Sequence, residues 1–396
     1  MEIAKLSKLI TPSGTMAISN KARVLREQGK PVIGFGAGEP DFPTPEYVIK
    51  DVQAAAEDTS NHKYSPVAGL TILKEEIVRT SELYSGINVK QENVLVSNGG
   101  KHAILTTFMS ILNPGDEVLI PSPYWTTYPE AVKISGGNPV IVDTEFDDDF
   151  KINTDQLDSL KTSKTKVLVW VSPSNPTGVV YTKEEAEKIY NWAFENNVWI
   201  LSDELYEHLV YEGITSPSPA QYDTELNNTI VINGVAKAYS MTGWRVGWII
   251  ANADVIDMAK KIQSHATSNV ANISQIAAYS ALKNGLDETK LMKESFNRRR
   301  LYAIEEFSNI ENINLIKSTG AFYLFPDVSY YSSNGVINGV HNSIDFCNWL
   351  LDEYFIAFVP GEVFGKNGFL RCSYALSDDD LHEGLSRFSK AIKEIQ

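Results

Sequence analysis

Between residues 94 and 250 the chain alternates short, continuous apolar runs with longer amphipathic stretches. The runs cover residues 94–96, 117–120, 140–142, 167–171, 198–201, 230–232 and 246–250, and are rich in Val, Ile and Leu. Helical spacing fills several of the gaps, for example 102–112 and 183–195. Runs without polar alternation are strands covered on both faces, so the pattern predicts a mostly parallel sheet sandwiched by helices. After residue 252 the strand pattern stops. Long helices are expected over 255–263, 273–282 and 286–307, followed by a mixed α+β segment. Ahead of the strands, 16–27 and 44–57 carry helical spacing, the second with Pro45 in its first turn. The expectation is an α/β protein. A large domain spans 46–285, and a smaller α+β domain is built from an N-terminal arm and segment, 1–45, together with 286–396.

Composition changes this picture little. At 396 residues and 43% hydrophobic content the chain supports two cores. A formal charge of −15 argues against nucleic acid or an anionic membrane as partner, though local arginines can still invert the potential inside a cleft. Cys347 and Cys372 show no metal or redox spacing, and neither a signal-peptide core nor a membrane-spanning run is visible, so the expected location is cytoplasmic. The glycine-rich stretch from Gly34 to Gly38 resembles a dinucleotide fingerprint. Pro40 and Pro43 stand where its helix should open, so those glycines more plausibly let backbone approach a ligand.

Ligands of open α/β sheets bind beyond the carboxyl ends of the strands, and the residues there form a coherent set. Ser97-Asn98-Gly99-Gly100-Lys101 opens a helix and suits an anion. Trp125, after Pro121-Ser122-Pro123-Tyr124, offers an aromatic face for a flat ring, although a plain core position would also suit it. Asn175 is held between Pro173 and Pro176 and offers an amide, in a motif that turn formation alone could also explain. Asp203 ends a buried strand and needs a cation or strong donors, with the Tyr206 phenol close by. The run 230–232 is expected to turn at Asn233-Gly234 before Lys237, whose neighbours Val235, Ala236 and Ala238 leave its amine little to pair with locally. A desolvated lysine gives up its proton readily and attacks carbonyls. Arg245, flanked by Gly243 and Gly247, is a planar fork for phosphate or carboxylate.

Pro173-Ser174-Asn175-Pro176-Thr177-Gly178, Ser202-Asp203-Glu204-Leu205-Tyr206 and Lys237 through Thr242-Gly243-Trp244-Arg245-Val246-Gly247 resemble the marks of fold-type I, class I aminotransferases that use pyridoxal 5′-phosphate. The likeness runs over nearly the whole chain and is closest to the bacterial and archaeal aspartate aminotransferase branch, which includes aspartate/prephenate enzymes. It implies that Lys237 bonds the cofactor and later moves the α-proton. It implies that Asp203 keeps the ring nitrogen protonated, that Tyr206 and Asn175 bond the phenolic oxygen, and that Trp125 stacks on the ring. Gly99, Gly100 and Arg245 would hold the phosphate, with Tyr64 from the neighbouring subunit of a homodimer with shared active sites. Arg371 would grip the substrate α-carboxylate, helped by Gly38, Asn175 and Trp125.

Two positions depart from the pattern. Gly234 stands where many relatives carry a phosphate-binding serine, and Lys101 stands where many carry a small residue. The resemblance implies that Lys101 receives a second substrate carboxylate, with Ser13 and Thr15 as helpers; the plainer reading is a solvated lysine, which the helix dipole disfavours. The expected reaction is ping-pong transfer of an amino group between an L-amino acid, aspartate or glutamate, and a 2-oxo acid, 2-oxoglutarate or oxaloacetate. Aromatic, alanine or prephenate transamination and C–S bond lysis are the enzymatic alternatives. A cofactor-binding regulator ranks last, because no basic DNA-binding extension is present. No metal is expected.

Overall fold

Each of the seven apolar runs forms a strand of one sheet in the computed structural model, which describes residues 3–12 and 14–395, without the side chains of 15–17. In chain order the strands are β1 (Ile33–Gly34), β2 (Val94–Ser97), β3 (Glu117–Ser122), β4 (Asn138–Asp143), β5 (Thr165–Val171), β6 (Trp199–Asp203), β7 (Thr229–Gly234), β8 (Gly247–Ile250), β9 (Tyr323–Leu324), β10 (Ile356–Ala357), β11 (Val359–Pro360) and β12 (Leu370–Ser373). The helices are α1 (Gly14–Glu27), α2 (Glu46–Glu57), α3 (Thr71–Thr80), α4 (Gly100–Ile111), α5 (Thr127–Ile134), α6 (Thr154–Leu160), α7 (Lys183–Glu195), α8 (Ala253–Ala266), α9 (Asn272–Asn284), α10 (Asp287–Ser308), α11 (Ser329–Ser333), α12 (Ser343–Tyr354) and α13 (Asp378–Lys393). Among the described residues no helix is long and apolar enough to cross a membrane.

The large sheet has the order β2-β8-β7-β6-β5-β3-β4. β8 runs antiparallel to both β2 and β7, and the remaining pairs are parallel. Alternation along each strand feeds two cores. Ile230 and Ile232 of β7 pack with Phe108 and Ile256 on one side, and Val231 packs with Trp248 and Ala277 on the other. The central strands β2, β6, β7 and β8 are buried on both faces, and each fully buried Val, Leu or Ile contributes roughly 1.5–3 kcal/mol. That is why these strands read as unbroken apolar runs.

A further core joins the two ends of the chain. Ile33 and Phe35 pack with Phe296, Phe322, Phe358 and Phe388, and β1 pairs in parallel with β10, Ile33 opposite Ile356. β11, β12 and β9 form a small antiparallel sheet beside it.

One local expectation is corrected. Asn233 and Gly234 are the last two residues of β7, not a turn, and pair with Trp248 and Gly247 of β8. A Cβ on Gly234 would lie 2.8 Å from the Val246 carbonyl oxygen and 3.0 Å from the Gly247 Cα. The antiparallel pair approaches too closely at this point for a side chain.

The loop after β1 is tied to the far end of the chain by Arg299 of α10. Its guanidinium is 9% exposed, bonds Asp41 at 2.8 Å and Asp378 at 2.6 Å, and lies 5.4 Å from the centre of the Phe42 ring. Charge-assisted bonds of this kind contribute about 1.5–3 kcal/mol when sheltered from water. Arg299→Met keeps the apolar stem and removes both ion pairs. Urea unfolding should show a loss of about 1.5–3 kcal/mol, whereas a loss below about 0.5 kcal/mol would mean that solvent already screens the bridge.

Candidate active site

A cavity of about 410 Å³ opens where β5, β6 and β7 end and α4 begins. Ten of the residues singled out in the sequence line it: Gly38, Gly100, Lys101, Trp125, Asn175, Asp203, Tyr206, Lys237, Arg245 and Arg371.

Lys237 follows β7 by three residues, its neighbours Val235, Ala236 and Ala238 all buried. Its Nζ reaches across the fold and donates to the Gly38 carbonyl oxygen. The Tyr206 and Phe322 rings lie 5.6 and 5.9 Å from it. Desolvation, and then the positive charge of Arg371, bring the Lys237 ammonium down to about 8. A usable fraction of neutral amine therefore exists near neutral pH.

Asp203, at the end of β6, is buried. Its Oδ2 accepts from the Tyr128 hydroxyl at 2.7 Å and its Oδ1 from the Leu205 backbone N–H at 3.3 Å. Burial pushes its carboxyl above the usual range; those two bonds and the charge of Lys237 oppose the shift. Both hydrogen-bond donors are neutral. The phenol of Tyr206 meets that of Tyr323 at 2.8 Å, both fully desolvated and both raised by burial.

Arg371 of β12 is 3% exposed, yet its hydrogen-bond partners are neutral: Asn175 Oδ1 and the Gly36 carbonyl, each at 2.9 Å. Its Nε is buried without a partner. The guanidinium lies 4.5 Å from the Tyr323 ring centre and 5.0 Å from that of Phe364. A cation so held is costly unless an anion joins it.

The opposite corner is built from the start of α4 and Arg245. Gly99 has φ +82°, and a Cβ there would sit 2.5 Å from Arg245 Nη2, so only glycine allows the guanidinium to lie against this backbone. Arg245 itself has φ +57°, a left-handed conformation that costs a non-glycine residue about 1–2 kcal/mol. Its Nη1 donates to the Thr242 carbonyl at 2.8 Å. Helix N-terminus and guanidinium together make an anion corner. Lys101, in the first turn of α4, places its Nζ 4.9 Å from the centre of the Trp125 ring. Desolvation, then Arg245, lower its pKa.

Tyr64 lies outside this cavity and is 91% exposed. Ser13 lies outside the described residues, as does the Thr15 side chain. Among the lining residues given no role by the sequence reading are Tyr128, Tyr323, Glu39 and Thr242. Tyr128 enters from the first turn of α5, three residues beyond Trp125. Tyr323 arrives through the β9–β12 pairing, which leaves no local signal. Glu39 and Thr242 bond at 2.8 Å where the two loops meet.

Residues 30–388 match the family described as aminotransferase class I and II. The aspartate aminotransferase of Streptomyces avermitilis is 47% identical over 389 residues, covering 98% of this chain and 95% of that protein. A probable aspartate/prephenate aminotransferase of Aquifex aeolicus is 41% identical, covering 98% of this chain and 97% of its own length. The solved structure of the aspartate aminotransferase from Thermus thermophilus with maleate superposes with a TM-score of 0.92 at 35% identity, over 98% of this chain and 99% of that one. With its lysine, buried carboxylate and arginines gathered at the ends of the strands, the chain belongs to the class I and II aminotransferases, fold-type I α/β enzymes that act with pyridoxal 5′-phosphate.

Proposed function

We propose that this aminotransferase exchanges an amino group between aspartate or glutamate and the 2-oxo acids 2-oxoglutarate or oxaloacetate. The observation that carries the reading is the pair of cations, Arg371 and Lys101, on the wall of one cavity and separately anchored. One suits the α-carboxylate that every amino acid has, and the other suits the distal carboxylate of a dicarboxylic donor.

The cofactor fits the residues present. Asp203 is a buried carboxylate with neutral donors only, so a protonated ring nitrogen satisfies it. The anion corner of Gly99, Gly100 and Arg245 suits a phosphate. Bound pyridoxal 5′-phosphate supplies a carbonyl carbon for the amino group and a ring that takes up the electron pair left when the α-proton departs. Lys237 holds the cofactor and, once released, takes that proton onto Nζ and returns it, a role that its pKa of about 8 permits at neutral pH. Tyr206 and Asn175 bond the phenolic oxygen, and Trp125 covers the ring and keeps water from it. Arg371, with Gly38 and Asn175, orients the α-carboxylate. Ser13 and Thr15 remain proposed helpers of Lys101.

The same reading makes the enzyme a homodimer in which the partner subunit's Tyr64 completes each phosphate site; the exposure of Tyr64 supports this. Two clusters of buried residues drawn wholly from 46–285 support a division into 1–45 with 286–396 and 46–285, although the core joining the chain ends also takes in Tyr206, Leu209 and Tyr211. The free, buried cysteines support a reducing, cytoplasmic setting. A second cavity of about 560 Å³ shares Lys101 and is walled by Leu105, Pro129, Ile134 and Val363. It favours, as a second reading, a bulkier donor such as prephenate.

Three outcomes follow from these roles. Borohydride reduction of the holoenzyme and peptide mapping should place the pyridoxyl group on Lys237; label on another lysine contradicts the assignment. Lys101→Ala should lower kcat/KM for aspartate about ten- to a hundredfold, the value of one desolvated charge-assisted contact, and leave alanine or phenylalanine much less affected. Equal losses for all donors would assign Lys101 to the cofactor or the fold. Mixing inactive Tyr64→Ala and Lys237→Ala subunits should restore activity, because each heterodimer then has one site carrying both defects and one carrying neither. Proven subunit exchange without recovery would count against shared sites.

A further inference from the structure

The segment 58–70 joins α2 to α3 and carries Tyr64, whose side chain stands in solvent. Behind Tyr64 the segment is held by three amide side chains: Gln263 of α8, and Asn272 and Gln275 in the first turn of α9. All three are buried. Asn272 Nδ2 donates to the carbonyls of Asn61 at 3.1 Å and Lys63 at 2.7 Å. Gln275 Oε1 accepts from the Leu70 N–H at 2.7 Å, while its Nε2 donates to the Val270 carbonyl at 2.8 Å and meets Ser65 Oγ at 3.5 Å. Gln263 Nε2 donates to the carbonyls of Val67 and of Val96 in β2, both at 2.9 Å. The Val96 N–H in turn donates to the Ala68 carbonyl.

Carbonyls only accept, so the amide nitrogens of Asn272 and Gln263 must face the loop. That orientation leaves Asn272 Oδ1 and Gln263 Oε1 buried without a partner among the described residues. A buried acceptor left unmatched is destabilising. Two such acceptors are tolerated here, and the bonds gained in exchange all fix backbone on either side of Tyr64 or next to it in β2.

The residue so carefully flanked does little for its own chain. A ring 91% exposed adds almost nothing to a core. Beside it, between 61–64 and 267–273, lies an open hollow of about 780 Å³. An anchored loop with a free aromatic tip suits a contact made outside the chain, because little freedom is lost when that contact forms.

We propose that Asn272, seconded by Gln275 and Gln263, is a positioning residue for the cofactor site of the neighbouring subunit. Asn272 fixes the carbonyl immediately before Tyr64, and Gln275 meets the side chain of the residue immediately after it. The clamp thereby sets where Tyr64 meets the partner's cofactor phosphate. The inference rests on the shared-site homodimer proposed above. Asn272 is the cleanest probe of the clamp, since both of its side-chain bonds go to the loop, whereas Gln263 also holds β2 of its own subunit.

The test titrates apoprotein homodimers with pyridoxal 5′-phosphate and follows the absorbance of the lysine-bound cofactor. Asn272→Ala should bind it about three- to tenfold more weakly, the value of one or two neutral hydrogen bonds, and should bind phosphate-free pyridoxal as the wild type does. On a Tyr64→Ala background the same substitution should weaken binding no further, because the clamp acts through that ring. Heterodimers of Asn272→Ala and Lys237→Ala subunits, purified on two different affinity tags, supply the decisive comparison. Their one lysine-bearing site takes Tyr64 from an unaltered loop, so it should regain wild-type affinity. A role confined to the fold of its own subunit would leave that site as weak as in the Asn272→Ala homodimer, and would overturn the inference. So would an equal loss for pyridoxal, additive losses in the double variant, or an unaffected Asn272→Ala beside a weakened Tyr64→Ala; each of these leaves the shared-site reading standing. Wild-type affinity in Tyr64→Ala would remove that reading and this inference with it. If Asn272→Ala fails to fold, Asn272→Ser, which keeps one shorter donor, carries the same comparisons.

Discussion

A carboxylate buried at the end of a buried strand is the constraint on which the rest of this site depends. Asp203 has given up water for one phenol and one backbone N–H, and neutral donors recover only part of a carboxylate's hydration. The residues around it are consistent with a cationic ring nitrogen supplying the remainder. Tyr128 fixes the carboxylate's orientation without neutralising it, leaving the charge for the ligand. The same dry environment lowers Lys237 to about 8 and leaves Arg371 buried against neutral partners. One physical condition, exclusion of water from the strand ends, thus leaves a carboxyl short of partners, an amine that gives up its proton readily and a guanidinium without a counter-ion, all awaiting ligand.

Backbone packing keeps these groups in register. β7 and β8 approach so closely at Gly234 and Gly247 that side chains are excluded, and a Cβ on Gly247 would sit 2.8 Å from the Gly100 backbone N. The strand carrying Lys237, the strand following Arg245 and the start of α4 are therefore packed nearly backbone to backbone. The loop from Gly38 to Thr44 then closes over them through Lys237 to the Gly38 carbonyl, Thr242 to Glu39, Ser240 to the Phe42 carbonyl and Trp244 to Thr44. Arg299 ties that loop to α13 through Asp378.

Much of this was legible in the chain. Unbroken apolar runs identify strands buried on both faces, and the residues following each run are where an open sheet presents chemistry, so Asp203, Asn175 and Lys237 stand out, while Arg245 is marked by its flanking glycines. What stayed hidden arrives through long-range pairing. Tyr323 reaches Tyr206 only because β9 pairs with β12, and Glu39 meets Thr242 only because β1 joins the far end of the chain at β10. Gly234 misled in a different way. Asn-Gly ordinarily marks a turn, and nothing local shows that an antiparallel neighbour presses against it. Tyr64 carries no mark of its role inside one chain, because the role proposed for it belongs to a second.

The central claim, that the cofactor relieves a desolvated carboxylate, is tested most directly by Asp203→Asn in two states. Removing an uncompensated buried charge should leave the apoprotein at least as stable in urea as the wild type. The same substitution should weaken binding of pyridoxal 5′-phosphate by about 30-fold or more, corresponding to about 2 kcal/mol or more for a lost charge-assisted bond. Opposite signs in the two states are what the account predicts. Equal cofactor affinity, or an apoprotein destabilised as much as the holoenzyme, would contradict it.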